Sequence, residues 1–138
     1  MTRQAQDIHT FGSEGALHAV RLGDPSARPI IFLHGITGSR RYWEKRVVHL
    51  ARRNRLVIPD LLGFGLSPKP PVDYTVPTFR QSVRCLLEDE GMAGRPHVLV
   101  GHSLGALIAV DYAVEHSADV QALVLINMPR YQSAALSK

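Results

Sequence analysis

Four runs of apolar residues along the chain predict buried β-strands. They cover residues 29–33, 56–58, 97–100 and 120–127. Between them, apolar positions recur at helical spacing over residues 40–53, 78–90 and 106–113, which predicts three intervening helices. Strands that are apolar throughout are typical of a parallel sheet whose two faces are both covered by helices.

Two further features complete this repeating pattern. Short β-compatible runs at residues 7–11 and 16–22 flank Gly12-Ser13-Glu14-Gly15, which predicts an antiparallel N-terminal hairpin. Residues 60–77 are rich in Gly and Pro and lack a period, so we expect a long surface loop there. The predicted fold class is α/β, with a mostly parallel sheet, helices on both faces and entry through the hairpin.

Length and composition favour a single folded domain. The 138 residues are 45% hydrophobic and 20% charged, as in ordinary globular proteins. The first ten residues lack an apolar signal-peptide core, and no apolar run approaches the ~20 residues that span a bilayer. We therefore expect a cytoplasmic protein with no membrane partner. The one cysteine, Cys85, has no partner for a disulfide or for a metal site.

The positive charge of the chain is concentrated in one stretch. Seven of the 16 Lys and Arg residues fall within residues 40–55, and the formal net charge is +4. Most of them alternate with apolar residues at helical spacing, and no aromatic stacking platform accompanies them. This favours the solvated face of an amphipathic helix over a nucleic-acid surface. A nucleotide-binding α/β domain is a further candidate, but no strand is followed by a Gly-x-Gly-x-x-Gly or a P-loop. We expect no nucleic-acid partner, no cofactor and no metal.

The most specific chemical signal is Gly101-His102-Ser103-Leu104-Gly105, between a predicted strand and a predicted helix. Strand, Gly-x-Ser-x-Gly and helix together predict a nucleophile elbow, a tight turn that holds a serine hydroxyl at a helix N-terminus. There the helix dipole stabilises the negative charge that develops during acyl transfer. The flanking glycines, Gly101 and Gly105, leave room for the chain to reverse and pack. An ordinary βα turn is the simpler alternative.

Two other motifs follow the preceding strands in the same way. His34-Gly35 closes the first parallel strand, and Asp60-Leu61-Leu62-Gly63-Phe64-Gly65-Leu66-Ser67 follows the second. All three motifs therefore lie at the carboxyl ends of neighbouring strands, where open α/β proteins place their sites. With these motifs, residues 7–127 resemble the N-terminal part of an α/β-hydrolase-fold protein, similar to the esterase, haloperoxidase-like and C–C hydrolase branches. Epoxide hydrolases and haloalkane dehalogenases share the first two motifs but carry aspartate where this chain has Ser103.

The resemblance implies a role for several residues. Ser103 would be the nucleophile toward a small ester-like substrate, and the backbone N–H groups of Leu104 and Ile36 would form an oxyanion hole. Packing alone is the alternative role for Ile36. The supporting residues that the resemblance implies are His34, Gly35, Gly101, His102 and Gly105. We expect neither histidine to be the general base, and we expect Asp60 to shape its loop rather than to act as the catalytic acid.

The resemblance also implies a triad in the order Ser, acid, His along the chain, with the acid and the base after later strands. Residues 128–138 contain no Asp, Glu or His. We therefore expect residues 1–138 to form a single partial domain that lacks the later strands, any cap, the acid and the base. A shortened reading frame, a deliberately cut polypeptide and a half-protein completed by another chain all fit this pattern.

The sequence leaves two functions open. One is a serine hydrolase that acts on a carboxylic ester through Ser103, whose hydroxyl is unactivated in this chain because the base is absent. The other is a non-catalytic α/β-hydrolase-like module that binds a ligand or a partner chain. In either case residues 122–126 would form an exposed apolar edge strand, so we expect self-association. Trp43, Phe64 and Leu66 are candidates for the entrance to a site for small to medium apolar substrates.

Overall fold

A computed structural model describes residues 16–130 of the chain. Within this range the strands are β1 (Ala19–Leu22), β2 (Arg28–Leu33), β3 (Asn54–Pro59), β4 (His97–His102) and β5 (Val120–Ile126). The helices of the same range are α1 (Arg41–Val47), α2 (Val76–Asp89) and α3 (Leu104–Glu115), and a 3₁₀ helix (Val48–Arg52) follows α1 directly. None of these helices combines the length and the apolar character that crossing a bilayer requires.

The described strands form one sheet in the order β1-β3-β2-β4-β5. β2 pairs in parallel with β3 and β4, and β4 pairs in parallel with β5. Among these strands only β1 is antiparallel, and its partner is β3. The predicted α/β class with a mostly parallel sheet is therefore confirmed. The first strand of the predicted hairpin, residues 7–11, lies outside the described residues.

Helices cover both faces of the sheet, as the apolar runs predict. Successive side chains of a strand point to opposite faces, so Ile31 and Leu33 of β2 lie on one side and Phe32 on the other. The first core is completed from α2, α3 and the strands by Val57, Phe79, Val83, Leu87, Leu99, Ile108 and Tyr112. The second core is completed, mainly from α1 and β3, by Trp43, Val47, Leu56, Ile58 and Val100.

The prediction of one α-helix over residues 40–53 is wrong for the second half of that range. α1 ends at Val47, and residues 48–52 form the 3₁₀ helix. Arg53 N–H donates to the Leu50 carbonyl at 3.3 Å, an i to i−3 bond that tightens the last turn. Asn54, the first residue of β3, donates its side-chain amide to the same carbonyl at 3.0 Å. The tighter turn therefore leads the chain directly into the sheet.

α2 begins two residues before the predicted start. Thr75 is its N-cap, because the Thr75 hydroxyl accepts from Thr78 N–H at 3.2 Å. Pro77 lies in the first turn, where its missing N–H costs no hydrogen bond. Gly91, with a φ of 70°, follows the C-cap and ends the helix, as predicted from the sequence.

Candidate active site

Ser103 lies at the apex of a tight turn between the end of β4 and the start of α3. Its φ of 55° and ψ of −116° are strained for an L-residue, and Asn127 is the one other non-glycine residue with positive φ among residues 16–130. Ser103 N–H donates to the Ile126 carbonyl and the Ser103 carbonyl accepts from Ala106 N–H, each at 2.9 Å. The predicted order of a strand, a tight turn at the serine and a helix is confirmed.

The glycines on either side of this turn are required by its packing. A Cβ on Gly101 would overlap the Gly105 carbonyl and lie 2.6 Å from the Ala106 nitrogen. A Cβ on Gly105 would overlap the Leu33 carbonyl oxygen and lie 2.6 Å from the Leu33 carbonyl carbon. Neither glycine has a positive φ. The requirement therefore comes from the close approach of α3 to β4 and to the end of β2, not from backbone conformation.

The loop after β2 packs against the serine turn. Gly38 N–H donates to the Gly35 carbonyl at 3.0 Å, which closes a tight turn over residues 35–38. A Cβ on Gly35 would lie 3.2 Å from Ser103 Cβ and 3.1 Å from His102 Nδ1. The structure thus brings the first and third sequence motifs together at the carboxyl ends of β2 and β4, as their order along the chain predicts.

Two backbone N–H groups beside the serine turn have no acceptor in the described part of the chain. Among the described residues, no backbone hydrogen bond uses the N–H of Ile36 or of Leu104. Leu104 is the first residue of α3, so its N–H has no intrahelical acceptor and lies at the positive end of the helix dipole. Ile36 and Leu104 line one cavity and are therefore neighbours across the turn. Both N–H groups are thus without a backbone acceptor among the described residues.

His34 is fully buried beneath this loop, and both of its ring nitrogens are bonded. Nδ1 donates to the Gly35 carbonyl at 2.7 Å, and Nε2 accepts from Leu61 N–H at 2.9 Å. Burial lowers the pKa of His34 and outweighs the Gly35 carbonyl and the Asp60 charge, which favour the protonated ring. His34 therefore ties two loops together as a neutral imidazole and has no nitrogen left for a proton from Ser103.

His102 is held by packing on the other side of the turn. Its ring stacks on Tyr42 with centroids 4.6 Å apart, and its Nε2 lies 3.4 Å from Asn127 Nδ2. The supporting role expected for this residue stays a prediction. Sequence reasoning missed Asn127. The signal that could have found it is an asparagine directly after an apolar strand, since asparagine tolerates the positive φ of this position.

Asp60 organises the loop after β3. Its fully buried carboxylate accepts from Arg40 N–H at 2.8 Å, from the Arg40 guanidinium at 3.1 Å and from Leu66 N–H at 3.0 Å. Its backbone carbonyl accepts from the Ser67 hydroxyl at 2.6 Å. A Cβ on Gly65 would overlap this carboxylate, so the loop closes over Asp60 only with glycine there. Asp60 therefore shapes its loop, as expected from the sequence.

Two cavities flank the serine turn. The apolar cavity, of 290 Å³, is lined by Ile36, Gly63, Phe64, Tyr74, Phe79 and Leu104. The smaller cavity, of 210 Å³, is lined by residues 35–38 with Tyr42, His102 and Ser103. Among the described residues, neither lining contains a carboxylate. No cluster of three or more His, Cys, Asp or Glu within residues 16–130 could hold a metal ion, and the absence of a cofactor stays a prediction.

Of the three residues expected at an apolar entrance, only Phe64 lines a cavity. The assignment of Trp43 is wrong, because its side chain is 5% exposed and packs on Phe32 in the core beneath α1. Its helical spacing to Val47 marks the core-facing stripe of α1. Leu66 is exposed but lies outside both linings. Sequence reasoning missed Tyr74, which comes from the loop that has no apolar period.

Comparison with known proteins identifies the family. A family model described as the alpha/beta hydrolase fold matches residues 28–136. The chain is 35% identical over 117 residues to Lipase 1 of Psychrobacter immobilis, covering 84% of this chain and 36% of the lipase. A thermophilic esterase from Thermogutta terrifontis is similar with a TM-score of 0.78 and 26% identity, covering 86% of this chain and 43% of the esterase. Epoxide hydrolase CorEH is similar with a TM-score of 0.73 and 29% identity, covering 79% of this chain and 37% of the epoxide hydrolase.

The chain therefore belongs to the α/β-hydrolase fold family. It spans about a third of the length of the curated relatives it matches. The similar solved structures include both an esterase and an epoxide hydrolase, so the shared fold alone does not fix the reaction.

Proposed function

We propose that Ser103 is the nucleophile of a serine hydrolase that cleaves carboxylic esters or related acyl compounds. The observation that carries this proposal is a serine on a strained strand-to-helix turn, with the unpaired N–H groups of Ile36 and Leu104 beside it. Backbone strain of this kind concentrates at functional sites, because only a well-packed surrounding structure maintains it. The similarity to a lipase and to an esterase supports the same chemistry.

In the proposed reaction the Ser103 oxygen attacks the ester carbonyl carbon while a base accepts the hydroxyl proton. The carbonyl oxygen becomes an anion that the N–H groups of Ile36 and Leu104 bind. Each such donor contributes roughly 3 kcal/mol to stabilisation of the transition state. The alcohol then leaves with a proton, and the acyl group stays on Ser103 until water removes it. His34 positions the Ile36 loop and does not take the proton, since both of its nitrogens are bonded.

The apolar cavity supports a substrate with a small to medium apolar group. The rings of Phe64, Tyr74 and Phe79 form one wall of its 290 Å³, and Ile36 and Leu104 connect that wall to the serine turn. The Tyr74 hydroxyl donates to the Pro70 carbonyl at 2.7 Å, so this polar group is already bonded within its own loop. A volume near 300 Å³ lies at the small end of the usual range for ligand sites.

We expect a polypeptide of these 138 residues to hydrolyse p-nitrophenyl acetate only weakly. Neither cavity lining contains a carboxylate among the described residues, and His34 has no free nitrogen, so no oriented base accepts the Ser103 proton. The measurement is p-nitrophenolate release by the unchanged chain and by Ser103→Ala, with Ser117→Ala on the exposed surface as the matched control. Turnover comparable to that of intact hydrolases, and abolished by Ser103→Ala alone, would contradict this expectation.

A non-catalytic module of the same fold is the second candidate. The observation that favours it is the same lack of a base and a carboxylate at the serine turn among the described residues. Such a module would hold a ligand in the apolar cavity while Ser103 stayed unreactive. Reaction of Ser103 with a fluorophosphonate probe separates the two candidates.

The cytoplasmic location inferred from the sequence stays a prediction.

We also propose that the chain self-associates through β5. This strand is an edge of the described sheet, and its Leu123, Val124 and Leu125 side chains are 37%, 45% and 39% exposed. Exposed apolar edges pair with other chains. The double substitution Leu123→Lys with Leu125→Lys should raise the monomer fraction in light scattering at micromolar concentration. Val114→Lys, on the exposed surface of α3, should leave it unchanged. A monodisperse monomer of the unchanged chain would rule out the association.

A further inference from the structure

A third cavity lies at the opposite end of the sheet from Ser103, where the parallel strands begin. Its volume is 280 Å³, and its lining among residues 16–130 contains Arg28, Arg55 and Arg95 but no carboxylate. Arg28 is the first residue of β2, Arg55 the second residue of β3, and Arg95 lies two residues before β4. β2 runs between β3 and β4, so the sheet register brings the three arginines to neighbouring positions.

Two of these three guanidinium groups lack a partner in the part of the chain that the structure describes. Within residues 16–130, the side chains of Arg28 and Arg95 make no hydrogen bond or ion pair. Arg55 donates to the Glu90 carboxylate at 2.8 Å and to the Glu90 carbonyl at 3.1 Å. Glu90 also accepts from Arg21, so this one carboxylate already balances two arginines. It leaves the charges of Arg28 and Arg95 uncompensated.

Two other carboxylates on neighbouring loops are engaged elsewhere: Asp119 accepts from the Arg84 guanidinium at 2.8 Å and from Gly94 N–H at 2.9 Å. Asp24 accepts at 2.8 Å from both the N–H and the hydroxyl of Ser26, which keeps its carboxylate engaged within its own turn. The described lining of the cavity therefore holds three arginines and no carboxylate. Like charges that share one cavity repel one another, and an anion between them lowers that repulsion.

The chemistry of the cavity wall selects the kind of anion. A guanidinium group offers a planar fork of N–H donors that matches the oxygens of phosphate, and it keeps its charge at all physiological pH values. Pro25, Pro29 and Pro96 also line the cavity, and their fixed φ limits rearrangement of the backbone that carries Arg28 and Arg95. The cavity therefore suits a compact group that carries two negative charges.

We propose that this cavity binds a phosphate group, carried by a small molecule or by a lipid headgroup, through Arg28 and Arg95, with Arg55 as a third donor. The site is independent of the proposed reaction at Ser103, because it lies at the other ends of the same strands.

The test is isothermal titration of the 138-residue chain with inorganic pyrophosphate, and sedimentation with phosphatidylcholine vesicles that do or do not contain phosphatidic acid. The double substitution Arg28→Gln with Arg95→Gln should weaken binding by about tenfold or more, because it removes both unpaired guanidinium groups. Arg41→Gln with Lys45→Gln removes the same charge from the exposed face of α1 and should change binding by less than about twofold at physiological salt.

Saturable pyrophosphate binding that requires Arg28 and Arg95 supports the site with a soluble phosphate ligand. Binding that requires the same pair but occurs only on phosphatidic acid vesicles supports it with a lipid headgroup. Absence of binding in both arms overturns the proposal. Equal loss in the two double variants also overturns it, because net charge rather than a site would then explain the binding. Circular dichroism of each variant confirms that its fold is retained.

Discussion

Gly105→Ala is expected to lower the free energy of unfolding by roughly 3 kcal/mol, because overpacking of a buried contact typically costs up to about that amount. The added methyl group would overlap the carbonyl oxygen of Leu33, a main-chain atom at the end of the central strand β2. Backbone there cannot shift without disturbing the sheet. Because a domain is stable by only about 5–15 kcal/mol, a large share of the total would be lost. Urea denaturation followed by circular dichroism measures the change.

Gly38→Ala is the matched control for this prediction. Gly38 belongs to the neighbouring turn over residues 35–38, and a Cβ there would lie no closer than 3.4 Å to its nearest neighbour, the Gly35 carbonyl oxygen. We expect a loss below about 1 kcal/mol. Equal losses at the two positions would mean that α3 does not approach β2 as closely as described.

Asp60→Asn is expected to destabilise the protein by about 3–5 kcal/mol, the usual effect of breaking a buried, hydrogen-bonded ion pair. Two backbone N–H groups and the Arg40 guanidinium donate to the Asp60 carboxylate. An amide in its place carries no charge, and its own N–H donors would face some of the groups that donate to the carboxylate. Asp111→Asn is the control, because its carboxylate is 30% exposed and its pair with Arg80 is worth at most about 1 kcal/mol. Comparable losses in the two variants would contradict the prediction.

The same carboxylate gives a pH dependence of known sign. Burial raises the pKa of Asp60, but hydrogen bonds from Arg40 N–H, Leu66 N–H and the Arg40 guanidinium outweigh it, so the pKa lies below the ordinary value of 3.8. The stability that Asp60 contributes is therefore complete above pH 3.8 and is lost as the pH falls further. The fall in unfolding free energy with acid should be shallower for Asp60→Asn than for the unchanged chain.

The fold was predictable from the sequence where one short-range pattern determined it. Continuous apolar runs identify the buried parallel strands, because such strands are covered on both faces. The end of α1 was not predictable in this way. Residues 48–52 keep a helical spacing of apolar positions, yet they form a 3₁₀ helix at a short distance before β3. Local sequence carries little information about that distance.

The candidate site was predictable to the extent that its residues are contiguous. The turn around Ser103 and the loop around Ile36 each follow one strand, so the order of the motifs places them at one edge of the sheet. Tyr74 shows the limit of such prediction, because only tertiary packing places it at the cavity. The burial of Trp43 is consistent with its helical spacing to Val47. Arg28, Arg55 and Arg95 lie far apart in sequence, and only the strand register joins them.

The reactivity of Ser103 is tested most directly by labelling the chain with a fluorophosphonate probe at increasing concentrations of imidazole, followed by peptide mass mapping. Imidazole replaces the base that the described residues do not supply at the turn. We expect an adduct on Ser103 and on no other serine, formed faster as imidazole is added and absent from Ser103→Ala. An adduct on a different serine, or none on Ser103 at any imidazole concentration, would contradict the assignment of Ser103 as nucleophile.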